Sequence, residues 1–80
     1  MNEYQYQFSA DCLVDGEVIT YQLTIKTHEQ LFVEDIIAFE VDSPCIQETI
    51  ANKFYRKFGG QQVMIGTHSG VKLTTYRGFS

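Results

Sequence analysis

Eighty residues leave room for one domain with a single core, expected to span 1–80. A chain that is 44% hydrophobic and 20% charged is composed like a globular protein rather than a disordered one. The net charge of −4 would ordinarily exclude a nucleic-acid surface, but it hides an uneven distribution. All ten acids lie in residues 1–48, where only Lys26 opposes them, for a net −9; residues 49–80 hold five bases and no acid. No apolar run approaches membrane length, and Met1-Asn2-Glu3-Tyr4-Gln5 lacks the basic and apolar regions of a secretion signal. A cytoplasmic location is therefore expected, with Cys12 and Cys45 as free thiols.

Residues 3–14 alternate, with Tyr4, Tyr6, Phe8, Ala10 and Cys12 on one parity and Gln5, Gln7, Ser9 and Asp11 on the other, the pattern of a strand with one wet face. Asp15-Gly16 is a turn signal, because both residue types tolerate positive φ. Ile19, Tyr21, Leu23 and Ile25 then alternate with Thr20, Gln22, Thr24 and Lys26, which completes a β-hairpin. Thr27 and Gln30 are spaced as a capping box and point to a short helix near 28–33. Ile36, Ile37, Ala38, Phe39 and Val41 would scatter around a helical wheel, so 35–41 reads as a buried strand.

Residues 44–58 read as the main helix. Ser43 suits the N-cap and Pro44 the first helical position. Ile46, Ile50, Phe54 and Phe58 sweep an arc of about 120°, with Glu48, Asn52, Lys53 and Arg56 opposite. Gly59-Gly60 stops the helix. A second hairpin follows: Val63 to Ile65, the connection Thr67-His68-Ser69-Gly70, then Val71, Leu73 and Thr75. The expected fold is α+β: a two-layer sandwich of one main helix on a four- to five-stranded, mostly antiparallel sheet, in the order β-β-(short α)-β-α-β-β.

Motifs for chemistry are sparse. No P-loop, dinucleotide fingerprint or nucleophile elbow occurs, and the glycines fall at turns. His28 and His68 lack companion ligands at metal spacing, so neither a metal nor a cofactor is expected. The acid clusters Glu34-Asp35 and Glu40 with Asp42 would need a cleft to act as paired catalytic carboxylates. Cys45 is the one candidate for a reactive thiol, since the second position of the expected helix favours a thiolate, against the nearby Glu40, Asp42 and Glu48. Cys12 shares the parity of the buried strand face and reads as core.

Lys53, Arg56, Lys57, Lys72 and Arg77 could form a basic patch for a phosphate backbone, with Tyr55 and Tyr76 among them. Cations in a helix's last turn also complement its dipole without any ligand. The same charge asymmetry suits self-association, with Tyr4, Tyr6 and Phe8 as a source of apolar contact. An acidic surface that mimics nucleic acid is one form of that reading. The expectation is a non-catalytic interaction module working through protein contacts, as a homodimer. A small nucleic-acid-binding domain is the alternative, and an enzyme or ligand carrier with a pocket at a dimer interface is a third.

Overall fold

The computed structural model describes residues 1–39, 41 and 45–79. Four strands form one antiparallel sheet in chain order: β1 (Asn2–Asp11), β2 (Val18–Thr27), β3 (Gln61–His68) and β4 (Val71–Arg77). Two helices, α1 (Val33–Ala38) and α2 (Gln47–Phe58), lie between β2 and β3. The fold is α+β and mostly sheet. The first hairpin pairs Tyr6 with Leu23 and Phe8 with Tyr21, so the expected apolar parities of the two strands share a face. Its connection is longer than a two-residue turn, because β1 ends at Asp11. Cys12 N–H donates to the Glu17 carbonyl at 2.7 Å, and Gly16 N–H returns to the Cys12 carbonyl at 2.9 Å. The second hairpin closes on Ser69-Gly70, both at positive φ (49° and 84°), the backbone of a tight hairpin turn.

Two expectations between the hairpins are overturned. The short helix near 28–33 does not form: the Thr27 hydroxyl accepts from Glu29 N–H at 3.1 Å, a local turn rather than a cap. The strand expected at 35–41 does not form among the described residues: 35–38 belong to the helix α1, and Phe39 and Val41 lie in no strand. Each inner strand already has two neighbours, so a fifth strand could pair only at an edge. A single helical turn on the surface needs only one buried anchor, and Ile36 supplies it while Val33 and Ile37 stay exposed. Glu34 and Asp35 in its first turn complement the dipole.

The main helix begins at Gln47, with Ile46 at the cap position and no side chain capping it. The expected cap Ser43 and first-turn Pro44 lie outside the described residues, as do Glu40 and Asp42. Cys45, expected inside the helix, precedes it and forms a parallel β-bridge with Cys12. The helix ends as expected at Gly59, whose φ of 66° suits glycine and whose N–H donates to the Tyr55 carbonyl.

Both helices pack on one face of the sheet. Phe8 meets Tyr21 and Phe54, each with ring centroids 5.3 Å apart, and Phe54 meets Phe39 at 4.9 Å. Tyr21, Leu23, Ile25, Ile50, Phe54 and Met64 are almost wholly removed from solvent. Aromatic pairs of this kind contribute about 0.5–1.5 kcal/mol each beyond the area they bury. This is how a chain so short builds a stable core.

Candidate functional site

Two places stand out, a polar cluster at one end of the covered face and the uncovered face itself. The cluster forms where the β1–β2 loop, the start of α2 and the β3–β4 hairpin meet. Gln47, 2% exposed, turns its amide nitrogen toward the carbonyls of Met64 (3.1 Å) and Leu73 (3.0 Å) and the Thr75 hydroxyl (3.1 Å). Carbonyls only accept, so the amide orientation is fixed and its oxygen faces His68 Nε2 at 3.0 Å. His68 must therefore donate through Nε2, which leaves Nδ1 as its one nitrogen able to accept when neutral.

A cleft of about 190 Å³ opens beside His68, between Cys12, Val14, Ile46, Glu48 and Leu73. Deeper in, Tyr21 meets the His68 ring edge-on at 6.0 Å, and its buried hydroxyl has no partner among the described residues. Burial raises the Tyr21 phenol above its ordinary range, and the neighbouring Cys12 and Cys45 raise it further. This arrangement is a structural clasp. The histidine nitrogen nearest the protein is committed to Gln47, both thiols are buried, and no group of three metal-ligating side chains occurs among the described residues. Cys45 lies two residues before α2, outside the free N–H groups of the first turn, and its own N–H donates to the Asp11 carbonyl at 3.1 Å.

The second place is the sheet face that neither helix covers. Strand register sets its side chains in rows across the strands. One row runs Gln5, Thr24, Val63, Tyr76, and the next runs Gln7, Gln22, Ile65, Thr74. No charged side chain occupies either row. Charges stand only at the rims, with Glu3 and Lys26 (paired at 3.9 Å) toward one end and Asp11 and Lys72 toward the other. Tyr76 is 60% exposed and meets Phe79, 50% exposed, edge-on at 5.7 Å. With the half-buried Val63 and Ile65 they make an apolar strip along β3 and β4 on an otherwise amide- and hydroxyl-lined surface.

The basic residues divide. Lys53, Arg56 and Lys57 share the C-terminal half of α2, and Arg77 joins them by donating through Nε to Asn52 Oδ1 at 2.7 Å. Lys72 stands on the other face of β4, five residues from Arg77. Lys57 borders a depression shared with Asp35, so the two signs meet there rather than segregating. Four of the five tyrosines, those expected at a contact surface, are also dispersed. Tyr4 and Tyr6 line the covered face, where the Tyr4 hydroxyl accepts from Leu31 N–H at 2.9 Å; Tyr55 is exposed on α2, and Tyr76 lies on the open face.

Sequence reasoning passed over Gln47 and the open face. The signal for Gln47 was present: it falls about 100° from Ile46, inside the apolar arc of α2, and a polar residue there demands partners. No family model matches the chain, and neither a curated protein nor a solved structure matches it. No helix among the described residues is long and apolar enough to cross a membrane.

Proposed function

We propose that this chain is a non-catalytic interaction module that acts through protein contacts, and above all with a second copy of itself as a homodimer. The observation behind this reading is the open sheet face, free of charge in its two central rows and bearing Val63, Ile65, Tyr76 and Phe79 where a solvated sheet would be polar throughout. Contiguous exposed apolar surface of this kind marks a contact site. The polar clasp around Gln47 is read as structural, because the Gln47 amide and His68 Nε2 are spent on tying α2 to β3 and β4. The unlinked thiols fit a reducing compartment, and we place the module in the cytoplasm. The nucleic-acid alternative has less support, since Lys72 stands apart from the other bases and Lys57 faces Asp35.

Sedimentation velocity over the micromolar to millimolar range tests the reading. The wild-type mass should move from one copy toward two as concentration rises. The Ile65→Lys variant, folded by circular dichroism, should stay at one copy. A wild-type chain that is monomeric throughout overturns the proposal, and so does an Ile65→Lys variant that still pairs.

A further inference from the structure

From the reading that the chain pairs with itself, we infer how the two copies meet. The open faces stack sheet on sheet, related by a two-fold axis perpendicular to the strands that passes over Met64 of β3. Met64 points into the core, while Val63 and Ile65 on either side of it point outward. A two-fold at this point sets Val63 of one copy against Ile65 of the other, and the reverse. The register carries the same exchange across the sheet, so that Thr24 opposes Gln22 and Tyr76 opposes Thr74. Val63 and Ile65 then meet each other at the centre, the amides and hydroxyls of β1 and β2 meet around them, and the Tyr76 ring meets Thr74 at the edge.

Charge selects this arrangement. The chain carries −4, so two copies repel over most approaches, but the central rows of this face are neutral. The two-fold places Glu3 against Ser9 and Lys26 against Thr20, so no rim charge meets a like charge. Of the axes along the strands, one between β2 and β3 leaves Val63 and Ile65 facing Thr24 and Gln22, and one over β3 leaves β1 with no strand opposite it. The sheet edges are poorer partners. Two β1 edges paired antiparallel about Gln7 bring Glu3 onto Asp11, and on β4 the Tyr76 carbonyl already accepts from Arg77 Nη1 at 2.8 Å.

The area is adequate for a weak dimer. Four strands about 4.8 Å apart and about seven residues of about 3.3 Å rise give a plan area on the order of 450 Å². Two such faces in contact bury on the order of 1,000 Å² in total, the low end for a specific interface. The sheets would sit about 10 Å apart with strands crossed by about 30°, as twisted sheets pack.

Thiol cross-linking reads the axis directly. Lys26 and Thr20 lie on the open face at opposite ends of β2, about 20 Å apart along the strand. The proposed two-fold brings Lys26 of one copy over Thr20 of the other and keeps each far from its own equivalent. A short bismaleimide should therefore link an equimolar mixture of Lys26→Cys and Thr20→Cys chains and link neither variant alone. Wild type, whose Cys12 and Cys45 are buried, is the control. The same samples are sedimented in parallel. Dimers in which each variant links to itself, or in which the mixture does not link, overturn this arrangement and leave the module reading standing. Samples that remain monomeric at millimolar concentration overturn both.

Discussion

Gly66→Ala tests the clasp at its tightest point. Gly66 is buried on β3 directly opposite Tyr21 of β2. A Cβ there would lie 2.7 Å from Gln47 Oε1 and 2.7 Å from Tyr21 Cε1, closer than real contacts permit. The Tyr21 ring cannot retreat, because it is fully buried and stacked on Phe8 at 5.3 Å. Overpacking of this kind costs about 1–3 kcal/mol. If Gln47 yields instead, its bonds to His68 and to the Met64 and Leu73 carbonyls stretch, and each buried group left unpaired costs about 1–3 kcal/mol. The expected loss is therefore about 2–5 kcal/mol. A domain of this size has a total stability of roughly 4–12 kcal/mol, so the variant should be marginally folded. At about 4–8 °C per kcal/mol, the melting temperature should fall by at least about 8 °C. Urea denaturation followed by far-UV circular dichroism measures the loss. In a Gln47→Ala background the same substitution should cost at least about 1 kcal/mol less, because one of the two clashing groups is gone. A Gly66→Ala midpoint within about 0.5 kcal/mol of wild type, or full additivity with Gln47→Ala, would refute the geometry.

Tyr21→Phe should stabilise the protein by about 1 kcal/mol, because it removes a buried hydroxyl that has no partner among the described residues. The folded-state phenol lies above its unfolded value, so the folded state holds this proton more tightly. Its linked stability is whole below about pH 10 and is lost as pH rises beyond that. Thermal melts between pH 8 and 11 should show a shallower alkaline decline in Tyr21→Phe than in wild type, and a destabilised variant at pH 7 would refute the assignment. Gln62 donates to the Phe54 carbonyl at 3.1 Å and to the Gly59 carbonyl at 2.8 Å, tying the last turn of α2 to β3. Gln62→Leu should cost about 1–3 kcal/mol and speed hydrogen exchange at Phe58 and Gly59, and unchanged exchange there would show that the tie is idle.

Both hairpins and the main helix were legible because each rests on a local pattern that tertiary packing reinforces. The alternation over Tyr4–Cys12 and Ile19–Ile25 marks one core face, and pairing Phe8 with Tyr21 keeps both sets on it. The segment between them was not legible for a physical reason. Ile36, Ile37, Phe39 and Val41 fit no single helical face, and α1 needs none, since it anchors Ile36 alone and leaves Phe39 to pack beyond its end against Phe54. The start of α2 was misplaced because Ser43 and Pro44 form a familiar helix-start signal, while the bridge between Cys12 and Cys45 holds the chain extended up to Ile46. No local signal reports that bridge, since its partners are far apart in the chain. The separation of Lys72 from the other four bases, by contrast, was legible. Lys72 and Arg77 differ by an odd number of positions, so a strand must send them to opposite faces.

That same parity defines the open face. A sheet of four strands has two faces, and among the described residues both helices pack on one of them. The other face is uncovered among the described residues. Gln5, Gln7, Gln22 and Thr20 are built for water. Val63 and Ile65 have a partial local explanation, because β-branched residues suit an inner strand whose neighbours half cover them. Tyr76 and Phe79 have none of that shelter: they stand at the edge of the sheet, touch each other and expose half or more of their surface. Strand propensity accounts for an inner Val63. It does not account for an exposed aromatic pair beside it, which is the feature the self-association proposal is built on.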